Sequence, residues 1–352
     1  MLDWAIAAAG LVYGGGIARA RLGGTLAQSA YLSPAEAEAS LDALAAAHPE
    51  LARVERYGHS GEGRPLRALR IGRASAPARM LVSGQIHAGE FVAGFVARGV
   101  ARGLLERAAS GDVAIGALLE RSQVVVAPLL NPDGAERVWR RNGWVGAGGL
   151  RHTAAGVDPN RNFPAVAVPG RRAWNSARSR RGAAYYRGPH PLSEPECRAL
   201  ARLAGRERFC AAINFHSFGA VVFRPSLEGI YASPDEDSLA RAMEVFDGVF
   251  QAHQPHVPYR PVAERPAAIT GQLDAYLLGA FGTPSVTVEV GKPGLAALKP
   301  SRVLNPFWLA NPENPQRWAD NDIEATVRSL TALLEATGGQ AGRPRQPELA
   351  AY

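Results

Sequence analysis

The stretch Arg79-Met80-Leu81-Val82-Ser83-Gly84-Gln85-Ile86-His87-Ala88-Gly89-Glu90 decides the fold. Its first five residues read as a short strand buried on both faces, and it breaks off into a polar cluster. The same arrangement recurs. The apolar runs Gln123–Ala127, Cys210–Phe215 and Ser285–Val290 give way to PLLNPDG, FHS and VEVG. Helical patterns stand between them, near 91–107, 194–205, 235–252, 271–280 and 320–336. An earlier helix, near 34–48, opens at Ser33-Pro34, where serine caps and proline enters the first turn. Arg53–Tyr57 and Leu66–Ile71 flank the turn-rich GHSGEGRP and predict a hairpin. Alternating strands and helices predict an α/β fold. In open α/β sheets ligands bind outside the carboxyl ends of the strands, so the polar clusters are expected to converge.

Composition narrows the class. The chain has 352 residues, 47% hydrophobic and 20% charged, which argues against wholesale disorder. The net charge of +7 raises the question of nucleic acid, but only Lys292 and Lys299 of the 39 basic residues are lysines. With the abundance of alanine and glycine, that excess of arginine reads as codon bias. No nucleic-acid-binding motif accompanies it, so nucleic acid is not the expected partner. Cys197 and Cys210 lack metal-type spacing and read as two ordinary buried thiols, with a single bridge as the alternative. No apolar run reaches the length of a membrane span. Trp4–Ile17 is mildly apolar, but Asp3 precedes it and the first basic residue is Arg19, the reverse of a signal peptide's polarity. Residues 1–30 are expected to form a loosely ordered extension, 31–336 one catalytic domain and 337–352 a flexible tail.

Several residues carry chemistry. His87 and Glu90, three apart at a strand-to-helix corner, can reach one cation from one side; His216 is the natural third ligand. Asp158 in Gly156-Val157-Asp158-Pro159-Asn160-Arg161-Asn162-Phe163 can accept a ring N–H from a metal-bound histidine. Asn160 and Arg161 offer donors suited to a carboxylate. Asn131-Pro132-Asp133-Gly134 reads by itself as a turn. Glu289, in an otherwise apolar strand, wants a metal, an arginine or a catalytic task.

Together these pieces resemble the zinc-dependent metallocarboxypeptidase family of the carboxypeptidase A type, over about residues 31–336. The carriers, in chain order, are GQIHAGE, NPDG, the RVWRRN run, GVDPNRNF, YRGPHPLSEPE, FHS and TVEV. The resemblance implies a mixed parallel and antiparallel central sheet with helices on both faces. It implies one zinc held by His87, Glu90 and His216, with Asp158 behind His87. Glu289 would be the general base acting on a zinc-activated water, and Arg140 would polarise the scissile carbonyl. Asn160, Arg161, Ser217, Leu273 and Thr287 would contact a peptide with a free C-terminus, and the Ser217–Phe218 bond would be cis. The family setting favours an extracytoplasmic location, although the chain shows no convincing signal peptide.

The match also departs from the family. The substrate-closing tyrosine is expected within residues 263–270, which contain none, and Tyr276 comes too late to replace it. Apolar Leu273 argues against lysine or arginine as the released residue, while Asp274 and Arg224 keep polar residues open. Arg171, Arg172, Arg178, Arg180 and Arg181 read as a solvated loop, or as a lure for anionic peptidoglycan stem peptides. The alternatives are a murein peptide amidase cleaving a γ-glutamyl-diaminopimelate bond, a deacylase of N-acyl amino acids, and an inactive member that binds peptide termini.

Overall fold

A computed structural model describes residues 26–146, 148–164, 180–225, 236–263, 271–292 and 305–343. Eight strands form one sheet: β1 (Ala52–His59), β2 (Pro65–Ile71), β3 (Ala78–Gly84), β4 (Ser122–Ala127), β5 (Ala211–His216), β6 (Val221–Arg224), β7 (Arg260–Ala263) and β8 (Ser285–Glu289). Their spatial order is β1-β2-β4-β3-β5-β8-β6-β7. The centre, β4-β3-β5-β8, is parallel. β1–β2, the expected hairpin, is antiparallel, as are the β2–β4 and β6–β8 pairings. The sheet is therefore mixed.

Side chains on the central strands alternate between two cores, as the two-residue period of a strand requires. Met80, Val82, Val124, Val126, Ile213 and Phe215 enter one core. It is closed by α2 (Phe91–Ala109), α6 (Glu236–Ala252) and α9 (Pro315–Ala336). Leu81, Val125 and Ala212 enter the other, beneath α5 (Pro195–Glu207) and α7 (Leu273–Phe281). Helices thus cover both faces, and the central strands read as unbroken apolar runs for that reason.

The remaining helices are α1 (Pro34–Ala47), α3 (Val113–Arg121), α4 (Pro132–Arg140) and α8 (Phe307–Ala310). Ser33 and Glu36 complete a capping box at α1. NPDG is the start of α4 and not a free-standing turn. Asn131 caps that helix by accepting from the Gly134 N–H, with Pro132 in the first turn. Cys197 and Cys210 are free and buried. Among the described residues, no helix is long and apolar enough to cross a membrane.

Residues 1–25 of the N-terminal extension and 344–352 of the tail lie outside the described residues. The described remainder packs on the body: Leu26 is buried, and the Gly342 N–H donates to the Arg208 carbonyl.

A buried polar network ties α9 to the end of β8. Asp322 accepts from Gln254 Nε2 (2.9 Å), Asn321 Nδ2 (2.8 Å) and the Tyr259 hydroxyl (2.9 Å). The Tyr259 oxygen accepts in turn from the Gly291 N–H at 3.1 Å. These donors to Asp322 are neutral, and burial lifts its pKa to about 7. The fold therefore holds a proton that the unfolded chain releases near pH 4, so this group's contribution to stability falls as pH rises from about 4 to about 7. Asp322→Asn should gain up to about 4 kcal/mol relative to wild type between pH 4 and pH 8. Loss of an acceptor adds a constant offset, so the check is the slope of the difference in urea unfolding curves. Parallel wild-type and variant profiles would refute the assignment.

Candidate active site

His87 and Glu90 come from the corner between β3 and α2. A Cβ on Gly84 would stand 2.8 Å from the Ala93 carbonyl oxygen, so glycine is what lets the strand end meet the helix. Gln85 then turns with a φ of 53°, and Glu90 occupies the N-cap of α2. His216 is the last residue of β5. His87 Nδ1 lies 2.7 Å from Glu90 Oε1, and His216 Nδ1 lies 3.1 Å from Glu90 Oε2. The three donor atoms fall within 4.8 Å of one another, and all three residues are buried.

This set fits zinc. Two imidazoles and one carboxylate are a catalytic zinc donor set that leaves a coordination position open. Glu90 Oε2 is buried with His216 Nδ1 beside it but without a well-aligned hydrogen bond, an expensive state that a cation would relieve. Burial pushes the His216 pKa down, which keeps its imidazole neutral, as metal ligation requires. Burial pushes Glu90 up, but the two imidazoles at its oxygens outweigh it and hold the carboxyl below its usual range.

Asp158 stands behind the triad. Its Oδ1 lies 3.2 Å from His87 Nε2 and also accepts the Asn160 N–H at 3.0 Å. Its Oδ2 accepts Arg151 Nε at 2.9 Å. Burial opposes its charge, yet Arg151, His87 and Arg161 more than compensate and keep it well below the ordinary range. With Nε2 facing Asp158, His87 presents Nδ1 to the metal position.

Asn160 and Arg161, the residues expected to hold a carboxylate, come from the 158–163 loop. Asn160 Oδ1 accepts the Leu273 N–H at 2.9 Å, which fastens this loop to the first turn of α7. The Phe163 N–H donates to the Gly271 carbonyl, and Phe163 stacks on Tyr276 at 5.4 Å. Gly271 has a φ of +80°, and a Cβ there would stand 2.3 Å from the Arg161 carbonyl oxygen. Arg161 is 8% exposed and lines a cavity with Phe163, Arg187 and His190. Leu273 and Thr287 are buried, and the Thr287 hydroxyl donates to Asp274 Oδ2 at 2.9 Å. Burial raises the Asp274 pKa. Asp274 is thus a satisfied internal carboxyl, and Arg224 is taken up by Asp247 at 3.1 Å.

Glu289 ends β8 and pairs in register with His216 on β5. Neighbouring residues in register on parallel strands point to the same face, about 4.8 Å apart. Ser217 follows His216, and its bond to Phe218 is cis.

Arg140 is not brought to this cluster. Its side chain is 72% exposed and pairs with Glu136 one turn back. Val138 faces the core from α4, and two further residues rotate a helix by about 200°, which turns Arg140 outward. A different guanidinium, that of Arg151, stands behind the metal set beside Asp158, its Nη2 2.9 Å from His87 Nε2. It escapes sequence reasoning because it sits in an irregular loop, without periodicity. Reading 132–140 as a helix gives the one available warning, since it sends Arg140 to the opposite side from Val138. Arg171, Arg172 and Arg178, and the stretch 264–270, lie outside the described residues. Arg180 and Arg181 are exposed.

Residues 37–314 match the profile of a family described as zinc carboxypeptidase. Rat carboxypeptidase D is 30% identical over 264 residues, covering 65% of this chain and 18% of that protein. Carboxypeptidase B of Astacus astacus is 30% identical over 205 residues, covering 54% of this chain and 62% of its own length. The chain therefore spans less than two thirds of either relative. Among solved structures, bovine thrombin-activatable fibrinolysis inhibitor superposes with a TM-score of 0.66 at 18% identity, over 87% of this chain and 98% of that one. Carboxypeptidase A of Helicoverpa armigera gives 0.60 at 20% identity, over 94% and 80%. These structures share the fold.

Asp158→Ala should weaken zinc binding about 10–100-fold, read by competition with a chromophoric chelator. Unchanged affinity would mean that the carboxylate does not orient His87.

Proposed function

The chain belongs to the zinc carboxypeptidase family, and on that premise we propose that it hydrolyses the last peptide bond of peptides with a free C-terminus. The observation that carries this reading is the buried Arg161 guanidinium, close enough to Asp158 to depress its pKa, beside the His87–Glu90–His216 set. A cation fixed beside a hydrolytic metal site measures from a terminal carboxylate, which is the geometry of an exopeptidase.

Zinc held by His87, Glu90 and His216 would act as a Lewis acid towards the carbonyl and lower the pKa of water towards about 7. Glu289 takes a proton on its carboxylate from the attacking water and returns it to the leaving amine. Arg151 stands with Asp158 on the Nε2 side of His87, so it supports the orientation of that ligand and does not take the place of Arg140 at the carbonyl oxygen. Burial works against its charge, but Asp158 and Glu90 outweigh it, and its pKa is raised. Asn160 and Arg161 hold the terminal carboxylate. Leu273 and the Thr287–Asp274 pair form a wall without a free charge, so neutral side chains are preferred over lysine and arginine at the released position.

Metal-loaded protein assayed on peptides with varied C-terminal residues, alongside a murein tripeptide, tests the substrate class. Release of neutral C-terminal residues from ordinary peptides is expected, and hydrolysis of the murein peptide alone would overturn the reading. Glu289→Gln should lower kcat about 10²–10⁴-fold while retaining one zinc. Arg151→Ala should weaken zinc binding about 10–100-fold through the loosened Asp158–His87 contact, and Arg140→Ala should leave kcat/KM nearly unchanged. A large loss of kcat/KM in Arg140→Ala with zinc retained would return the carbonyl role to Arg140.

A further inference from the structure

Tyr185 contacts two of the guanidiniums just described. The Arg151 guanidinium carbon lies 4.8 Å from its ring centroid and that of Arg161 lies 5.4 Å away. Both distances are within the range at which a cation is drawn to an aromatic face. Together they keep the two guanidinium carbons no more than about 10 Å apart.

The backbone on either side of Tyr185 is pinned to the same machinery. The carbonyl of Ala184 accepts His152 Nε2 at 2.9 Å, and His152 is the neighbour of Arg151. The carbonyl of Tyr186 accepts the Asp158 N–H at 2.8 Å, and Asp158 anchors the loop that carries Arg161. The ring is thus held from both sides by the two segments whose cations it touches. Two like charges in one buried site repel, and the electron-rich ring face offsets that repulsion while fixing where each charge stands.

We propose that Tyr185 is a positioning residue that holds the Arg161 guanidinium in place, and with it the enzyme's selectivity for a terminal residue bearing a free carboxylate. This rests on the reading above, in which Arg161 meets the terminal carboxylate. A charge-assisted hydrogen bond to that carboxylate depends on where the guanidinium stands, and the ring face, pinned through Ala184 and Tyr186, fixes it.

The test uses the zinc-loaded full-length chain and matched N-blocked peptides that end in a carboxylate or a carboxamide. Tyr185→Leu, which removes the ring, should lower kcat/KM on the free acid about tenfold, chiefly through KM. The carboxamide should change little, so the preference for the free acid collapses. Tyr185→Phe keeps the ring face and should preserve that preference within about twofold. Tyr185→Gln provides the same ring-less comparison should the leucine variant fail to fold, with zinc content and melting temperature read alongside. Equal losses on both substrates in a ring-less variant, or a loss of preference in Tyr185→Phe as large as in Tyr185→Leu, would overturn the role of the ring. A wild type with no preference for the free acid would instead overturn the exopeptidase reading itself.

Discussion

The constraint on which the site depends is the burial of Asp158. Its carboxylate has no exposure to solvent and remains ionised. A buried charge is tolerated only when donors surround it, and here they come from three parts of the chain: His87 at the β3–α2 corner, Arg151 in the loop before it, and the backbone of Asn160 beyond it. Satisfying one anion therefore brings together the metal set, the cation beside it and the loop of the carboxylate clamp. Removing any of these partners would strip a hydrogen bond from a charge that water cannot reach.

The sheet supplies what that carboxylate cannot. His216 and Glu289 stand side by side because β5 and β8 are parallel and in register, and a slip by one residue would turn one of them to the opposite core. The metal set and Glu289, the proposed base, are thus spaced by backbone hydrogen bonds. The Asp322–Tyr259–Gly291 chain then holds the backbone just beyond Glu289. Positions fixed by strand ends are more rigid than positions borrowed from loops, which suits the proton-carrying role proposed for Glu289.

The legible parts of the molecule were those whose signal is local. The four central strands announce themselves as short apolar runs, and three of them, β3, β5 and β8, lead into His87, His216 and Glu289. Short β6 and β7, half-buried or exposed at most positions, give no such run, and their pairing is a tertiary decision. NPDG misleads because a helix N-cap and a turn draw on the same residues: Asn131 accepts a backbone N–H in either. The metal residues and Asp158 were legible from spacing and the company they keep. Arg151 was not, because nothing in Leu150-Arg151-His152 distinguishes a guanidinium that folds inward from the many arginines that stay in solvent.

That last difficulty returns to the chain's basic composition. With so much arginine and almost no lysine, a guanidinium in the sequence carries little information, and burial is what separates the functional ones. Arg140 and Arg161 look alike as residues, yet one side chain is 72% exposed and the other residue 8%. An exposed guanidinium is screened by water and contributes little to either stability or chemistry. In a dry site the same group polarises whatever it faces, because the local dielectric is low. Burial is sustainable for Arg151 because Asp158 and Glu90 are ionised beside it. The acid that orients the metal ligand is therefore also the acid that lets the neighbouring cation remain charged out of water. The two halves of the site, metal and guanidinium, thus share Asp158 as a counterion.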